Sequence, residues 1–174
     1  MGSTTLSLHI WHSFMAHIAP FKLNMYGKHT QKESTGFSHG CCLLTADKLM
    51  ARNWPCNPVC PLCNNEAETA THMCLHCPFA LLVWSKVAIW TMGLISVPTA
   101  DSNLQEWWAN SITMVPKAKK RTVAAMLIYT TWNLWKERNR RIFEGVRCSL
   151  LQVFSLIKEE VALRQRACGA PMIE

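Results

Sequence analysis

The chain has 174 residues, 49% of them hydrophobic and 17% charged, with a formal net charge of +7. That length supports one moderate domain, or a domain with an appended helical piece, and the composition excludes a chain disordered throughout. The basic surplus gathers from Lys117 onward and suits a polyanion such as nucleic acid, although most moderately basic domains bind none.

Met1 to Ile18 lacks the order of basic start, apolar run and small-residue cleavage site that an export signal needs. The expected location is therefore intracellular, in nucleus or cytoplasm. Nine cysteines then point to reduced thiols or metal ligands, not to a disulfide framework. The stretch GKHTQKESTGFSHG, 27–40, has neither helical nor strand periodicity, so residues 1–42 read as a divergent, poorly ordered arm. Thr45-Ala-Asp-Lys-Leu-Met-Ala-Arg predicts a short helix capped by Thr45, with Leu44 and Leu49 facing inward, ending before Trp54-Pro55.

Next comes CPLCNNEAETATHMCLHC, 60–77, with four cysteines and two histidines in eighteen positions. Pro78 then suits the first turn of a helix over about 79–92, along which Phe79, Leu82, Val83, Lys86 and Trp90 recur at helical spacing. The apolar run from Phe79 to Val97 approaches the length of a membrane span. Lys86, Ser85, Gly93 and the preceding cluster argue for a buried helix, with no membrane partner.

After Pro98, Asp101 or Ser102 can cap a helix from Leu104 to Ile112 that carries Trp107 and Trp108. Pro116 opens the longest helical segment, 117–143, with Ala124, Leu127, Ile128, Thr131 and Trp135 as its apolar stripe and Gly145 as its stop. Ser149 and Gln152 have capping-box spacing, and Leu150, Val153, Phe154, Ile157 and Val161 give a final helix over 149–165 one apolar side. The fold class is mainly α: a small helical domain with a zinc-knuckle-like Cys/His loop, long C-terminal helices and the N-terminal arm. Residues 43–97 read as a metal-binding domain and 98–174 as a helical tail.

Cys60 and Cys63 flank a two-residue turn, which lets two thiolates reach one ion. His72 and Cys77 can complete a tetrahedron in the spacing Cys-x2-Cys-x8-His-x4-Cys. Three thiolates and an imidazole leave no position for water, so the role of such a zinc is structural. Cys74 and His76 lie within the same stretch, and Cys60, Cys63, Cys74 and Cys77 form an acceptable four-cysteine set; spacing does not separate these alternatives. The isolated Cys41, Cys42, Cys56, Cys148 and Cys168 read as small buried hydrophobes.

The runs LTADKL (44–49), RNW (52–54), CPLC (60–63), Glu68-Thr69, His72 and CPFALLVW (77–84) together resemble the zinc-binding domain found downstream of the reverse transcriptase in plant non-LTR, LINE-type retroelements. WNLWKERNRRIFEG, 132–145, resembles the tail that commonly follows it. Ile10-Trp11 and Ala19-Pro20-Phe21-Lys22 look like the start of the family pattern, but residues 22–42 depart from it, as a frameshift, altered splicing or decay of an element copy would produce. The resemblance implies that the ligands are Cys60, Cys63, His72 and Cys77.

Polymerase and nuclease chemistry on phosphodiesters uses clustered carboxylates to hold two metals, whereas the only aspartates here, Asp47 and Asp101, lie far apart. No Gly-rich phosphate loop or nucleophile elbow is present, so the chain is expected not to be an enzyme. The leading expectation is an accessory RNA- or DNA-binding module, with Lys119, Lys120, Arg140 and Arg141 meeting phosphates and Trp132 and Trp135 offering stacking faces. The alternatives are a protein-interaction or structural helical module with a protein partner, or a decayed element fragment with no selected function. Glu137 and Arg141 read as an ordinary helix-surface pair.

Overall fold

The computed structural model describes residues 43–168. The chain divides into two compact units, Met1–Leu44 and Thr45–Glu174. The arm expected over residues 1–42 lies outside the described residues.

Five α-helices make up the described part: α1 (Ala46–Met50), α2 (Pro78–Trp90), α3 (Leu104–Thr113), α4 (Lys120–Asn139) and α5 (Leu150–Cys168). A π-helical turn, His72–His76, precedes α2; a 3-10 turn, Lys117–Lys119, leads into α4; and a second π-helical turn, Arg140–Glu144, leaves it. No strand forms among the described residues, only an isolated antiparallel bridge between Val59 and Ala67. The mainly helical class is therefore observed.

The long predicted segment 117–143 is one continuous helical path with an altered pitch at both ends. It stops where Gly145 adopts φ 67°, a left-handed conformation costly to a side chain. Its burial is wider than a single stripe. Leu127, Thr131 and Trp135 are buried as expected, but Ala124 and Ile128 are only half-buried, while Val123, Met126, Thr130, Asn133, Leu134, Glu137 and Arg138 are buried too. The reason is position: α4 packs against α2, α3, α5 and both π-helical turns, so it runs through the core instead of lying on it.

Three local readings are corrected. In α1, Leu44 is exposed and Leu49 half-buried, while Thr45 and Ala46 face inward. The Thr45 hydroxyl bonds the Asp47 carboxylate rather than a backbone amide, and the Ala46 N–H is bound instead by Glu68 Oε2 at 3.0 Å. In α2 the buried set is Ala80, Val83, Trp84 and Val87, with Leu82 exposed, because the helix turns the Trp84 side toward α3. There Trp84 meets Trp107 edge-on, ring centroids 4.8 Å apart. The third helix is capped by Asn103, whose Oδ1 accepts from the N–H of Gln105 at 2.9 Å and of Glu106 at 3.4 Å; Ser102 Oγ accepts from Thr99 N–H instead. At α5 the expected capping box is present, with Ser149 N–H on Gln152 Oε1 (2.7 Å) and Gln152 N–H on Ser149 Oγ (3.3 Å).

Candidate metal centre

A tight hairpin presents the first two donors. Glu68 N–H bonds Pro58 O at 2.7 Å and Cys60 N–H bonds Glu66 O at 2.8 Å, closing the loop around the Val59–Ala67 bridge. Asn64 N–H returns to Cys60 O at 2.8 Å, and Asn64 takes φ 55°, a left-handed position that asparagine tolerates better than most residues. Cys60 and Cys63 thus lie on one turn.

The other two donors depend on the turn His72–His76. Thr69 starts it, its Oγ1 accepting from His72 N–H at 3.0 Å and its carbonyl from Met73 N–H at 2.9 Å. The turn then closes by Cys77 N–H on His72 O at 2.7 Å, a five-residue step. Five residues along an α-helix point to different faces at 3.6 residues per turn, whereas a π-type step brings the first and last to one side; such turns recur at functional sites. The x4 spacing between His72 and Cys77 is matched to this geometry.

The result is a four-donor cluster: Cys60, Cys63 and Cys77 Sγ and a ring nitrogen of His72 all lie within 4.8 Å of one another, with Cys60, His72 and Cys77 buried and Cys63 half-buried. Cys63 Sγ is 3.4 Å from His72 Nε2. On the other side of the ring, Nδ1 is 3.2 Å from Glu66 Oε2, which directs the Nε2 lone pair at the sulfurs.

Protonation follows the same contacts. The Cys60 thiol is pushed up, first by its hydrogen bond to Cys77 and then by burial. Cys77 is pulled down by that same bond, and further by the amides of Ala80 and Phe79 at the start of α2, against the effect of burial. Burial holds His72 below its ordinary value of 6.5, against the pull of Glu66, so the ring is a neutral donor at pH 7.

These residues fit zinc. Three sulfurs and one imidazole are its preferred donors, and a tetrahedron with ordinary zinc bond lengths has edges of roughly 3.5–3.8 Å, which this cluster reaches by small inward movements. Bound zinc supplies a cross-link between the hairpin and the start of α2, with no coordination position left for water.

Cys74 and His76 stand outside the four-donor group. His76 Nε2 lies 3.0 Å from the carbonyl of Ser102, and the carbonyl of buried Cys74 accepts from Trp84 Nε1 at 2.7 Å. Cys56 Sγ approaches Ala46 O at 3.6 Å.

The basic residues divide into two groups. Lys117, Lys119 and Arg121 are exposed and Lys120 half-buried, and none of the four forms an ion pair among the described residues. Arg140 and Arg141 both bind Glu137, which is fully buried, so the expected helix-surface pair is an interior one. Trp135 is buried beneath Arg138, whose Cζ lies 5.0 Å from its ring, and Lys136 lies 6.0 Å from the ring of half-buried Trp132. Neither ring is a free stacking platform.

Sequence reasoning missed the support around the site. Glu68 is buried and grips Arg138 with both oxygens, Nε to Oε1 at 2.6 Å and Nη2 to Oε2 at 2.8 Å. Arg141 donates from Nη1 to the carbonyls of Leu62 (2.7 Å) and Pro61 (3.2 Å), within the first cysteine turn. The advance signals were the charge density of KERNRR, 136–141, at the end of the helix, and the Glu68-Thr69 pair within the family resemblance.

Comparison with known families agrees with the chemistry of the donors. Residues 9–84 match the family model described as zinc-binding in reverse transcriptase. The match includes all four donors and ends within α2. This zinc-binding family is not the catalytic polymerase domain. No curated protein and no solved structure matches the chain. No helix among the described residues is long and apolar enough to cross a membrane.

Proposed function

We propose that this chain is a noncatalytic structural-zinc module of plant LINE-type retroelement origin, which binds RNA or DNA through the phosphate backbone. The closed set Cys60, Cys63, His72 and Cys77 and the reverse-transcriptase zinc-binding match support the zinc role and the origin. The observation that carries the nucleic-acid reading is the group Lys117, Lys119, Lys120 and Arg121 at the start of α4, without an ion pair among the described residues. Cations there face the positive end of the helix dipole, a placement that costs stability and is relieved by an external anion. Lys119 and Lys120 belong to this group; Arg140 and Arg141, bound to Glu137, contribute less.

Phosphate contacts release counterions, so zinc-loaded protein is expected to bind single-stranded RNA and DNA with affinity that falls steeply with salt and shows little base preference. Reversing Lys117, Lys119 and Arg121 to glutamate should weaken binding at least tenfold and flatten the salt dependence while leaving the fold intact. Unchanged binding in the triple variant would sink the reading. Exposed Ile89, Met92 and Met114 favour a second reading, a protein-interaction module; a folded, zinc-loaded sample that ignores both nucleic acids at low salt yet captures a protein partner would select it.

A further inference from the structure

Three groups remain after the site and the basic surface are accounted for: exposed apolar residues on α2, the half-buried thiol of Cys148, and the buried charges at the end of α4. Only the charges touch something specific. Arg141, in the turn Arg140–Glu144, donates to the carbonyls of Pro61 and Leu62, the two residues between Cys60 and Cys63. Its Cζ also lies 4.6 Å from the ring of Phe79, two residues beyond Cys77. One guanidinium therefore contacts the hairpin that bears two donors and the helix start that follows another.

Its position is set from behind. Arg141 Nε donates to Glu137 Oε1 at 2.8 Å, and Glu137, fully buried, also binds Arg140 and accepts from Cys148 N–H at 2.9 Å. The Arg141 side chain is 8% exposed. A planar fork can donate toward Glu137 and toward the two carbonyls at once, which the single ammonium of a lysine does poorly. Charge points the same way: three thiolates and a neutral imidazole around Zn2+ leave the centre with one net negative charge. Glu137 neutralises one of its two arginines, so one positive charge remains beside the cysteine turn.

We infer that Arg141 is a positioning residue of the metal centre, holding the Cys60–Cys63 turn and the start of α2 in ligating register; this rests on the reading of the four donors as a zinc site. It binds no metal itself and acts through the backbone between two ligands.

The test is zinc affinity, measured by competition with a chromophoric chelator on the full chain, with cobalt absorption and hydrogen exchange as second readouts. Arg141→Ala is expected to weaken zinc binding about ten- to a hundredfold, in the range of other outer-shell partners, and Arg141→Lys to recover part of it. Lys136→Ala breaks the Lys136–Glu160 pair between α4 and α5 without touching the turn, and should leave affinity unchanged. Saturated variants should keep the cobalt spectrum of a three-sulfur, one-nitrogen tetrahedron, while amides 60–64 exchange faster in Arg141→Ala and those of α4 do not. Wild-type affinity and wild-type exchange at 60–64 in Arg141→Ala would overturn the inference; should that variant not fold, undiminished affinity in Arg141→Lys would do so. A wild-type chain that takes up no zinc defeats the metal reading itself, an outcome distinct from failure of the clamp alone.

Discussion

Cys60 and Cys77 show how far a single residue's chemistry is set by its neighbour, since one thiol is raised and the other lowered by the bond between them. Zinc ligation requires deprotonated thiols, so its affinity rises with pH. Serine at Cys60, Cys63 or Cys77, or alanine at His72, is expected to abolish stoichiometric zinc in native mass spectrometry, whereas Cys74→Ser and His76→Ala should retain it. Loss in Cys74→Ser with retention in His72→Ala would select the four-cysteine set. In the metal-free chain, the folded state holds His72 below its ordinary 6.5, so the unfolded state binds the proton more readily. Stability is therefore greatest above 6.5 and falls as pH drops below it and through the lower folded-state value, which a urea titration at several pH values will register. The donor types were legible because zinc selects cysteine and histidine at short spacings. The Glu66 contact was not, because a carboxylate six residues from a histidine has no characteristic pattern.

At the scale of elements, caps were readable where both partners are close in the chain and ambiguous where several candidates compete. Ser149 and Gln152 form their box as spaced. At α3, Asp101, Ser102 and Asn103 are all capping types, and the turn formed by Thr99 and Ser102 decides among them by using the serine hydroxyl. Asn103→Ala should therefore cost about 1 kcal/mol in thermal or urea denaturation, while Asp101→Ala stays within about 0.5 kcal/mol. Equal losses at the two positions would contradict the observed cap. The face of α2 escaped sequence reading because nearly every position on it is apolar, so periodicity does not choose an inward side.

At the scale of the whole molecule, the buried pair Glu68 and Arg138 joins positions 70 residues apart, with Glu68 also holding the first turn of α1. Both side chains are almost wholly buried. Glu68→Ala strands a buried guanidinium and should destabilise the zinc-loaded chain by about 3–5 kcal/mol, while Glu68→Met with Arg138→Leu should recover much of that loss. A single-variant cost below about 1 kcal/mol in urea denaturation would show that the pair does not carry the fold.

The sequence by itself determined the helical class, the extents of α2, α4 and α5 to within a few residues, and the donor types of the metal centre. Those follow from local periodicity, proline and glycine placement and ligand spacing. Tertiary structure alone decided that α4 is enclosed on several sides, that His72 and Cys77 converge through a π-helical turn, and that charges in KERNRR face inward. A charge looks like surface until its partner is known, and the partners of Arg138 and Arg141 lie 70 and 79 residues away in the chain. Burial of such a group is favourable only when the fold delivers its counter-charge or carbonyls, and no local pattern records that delivery.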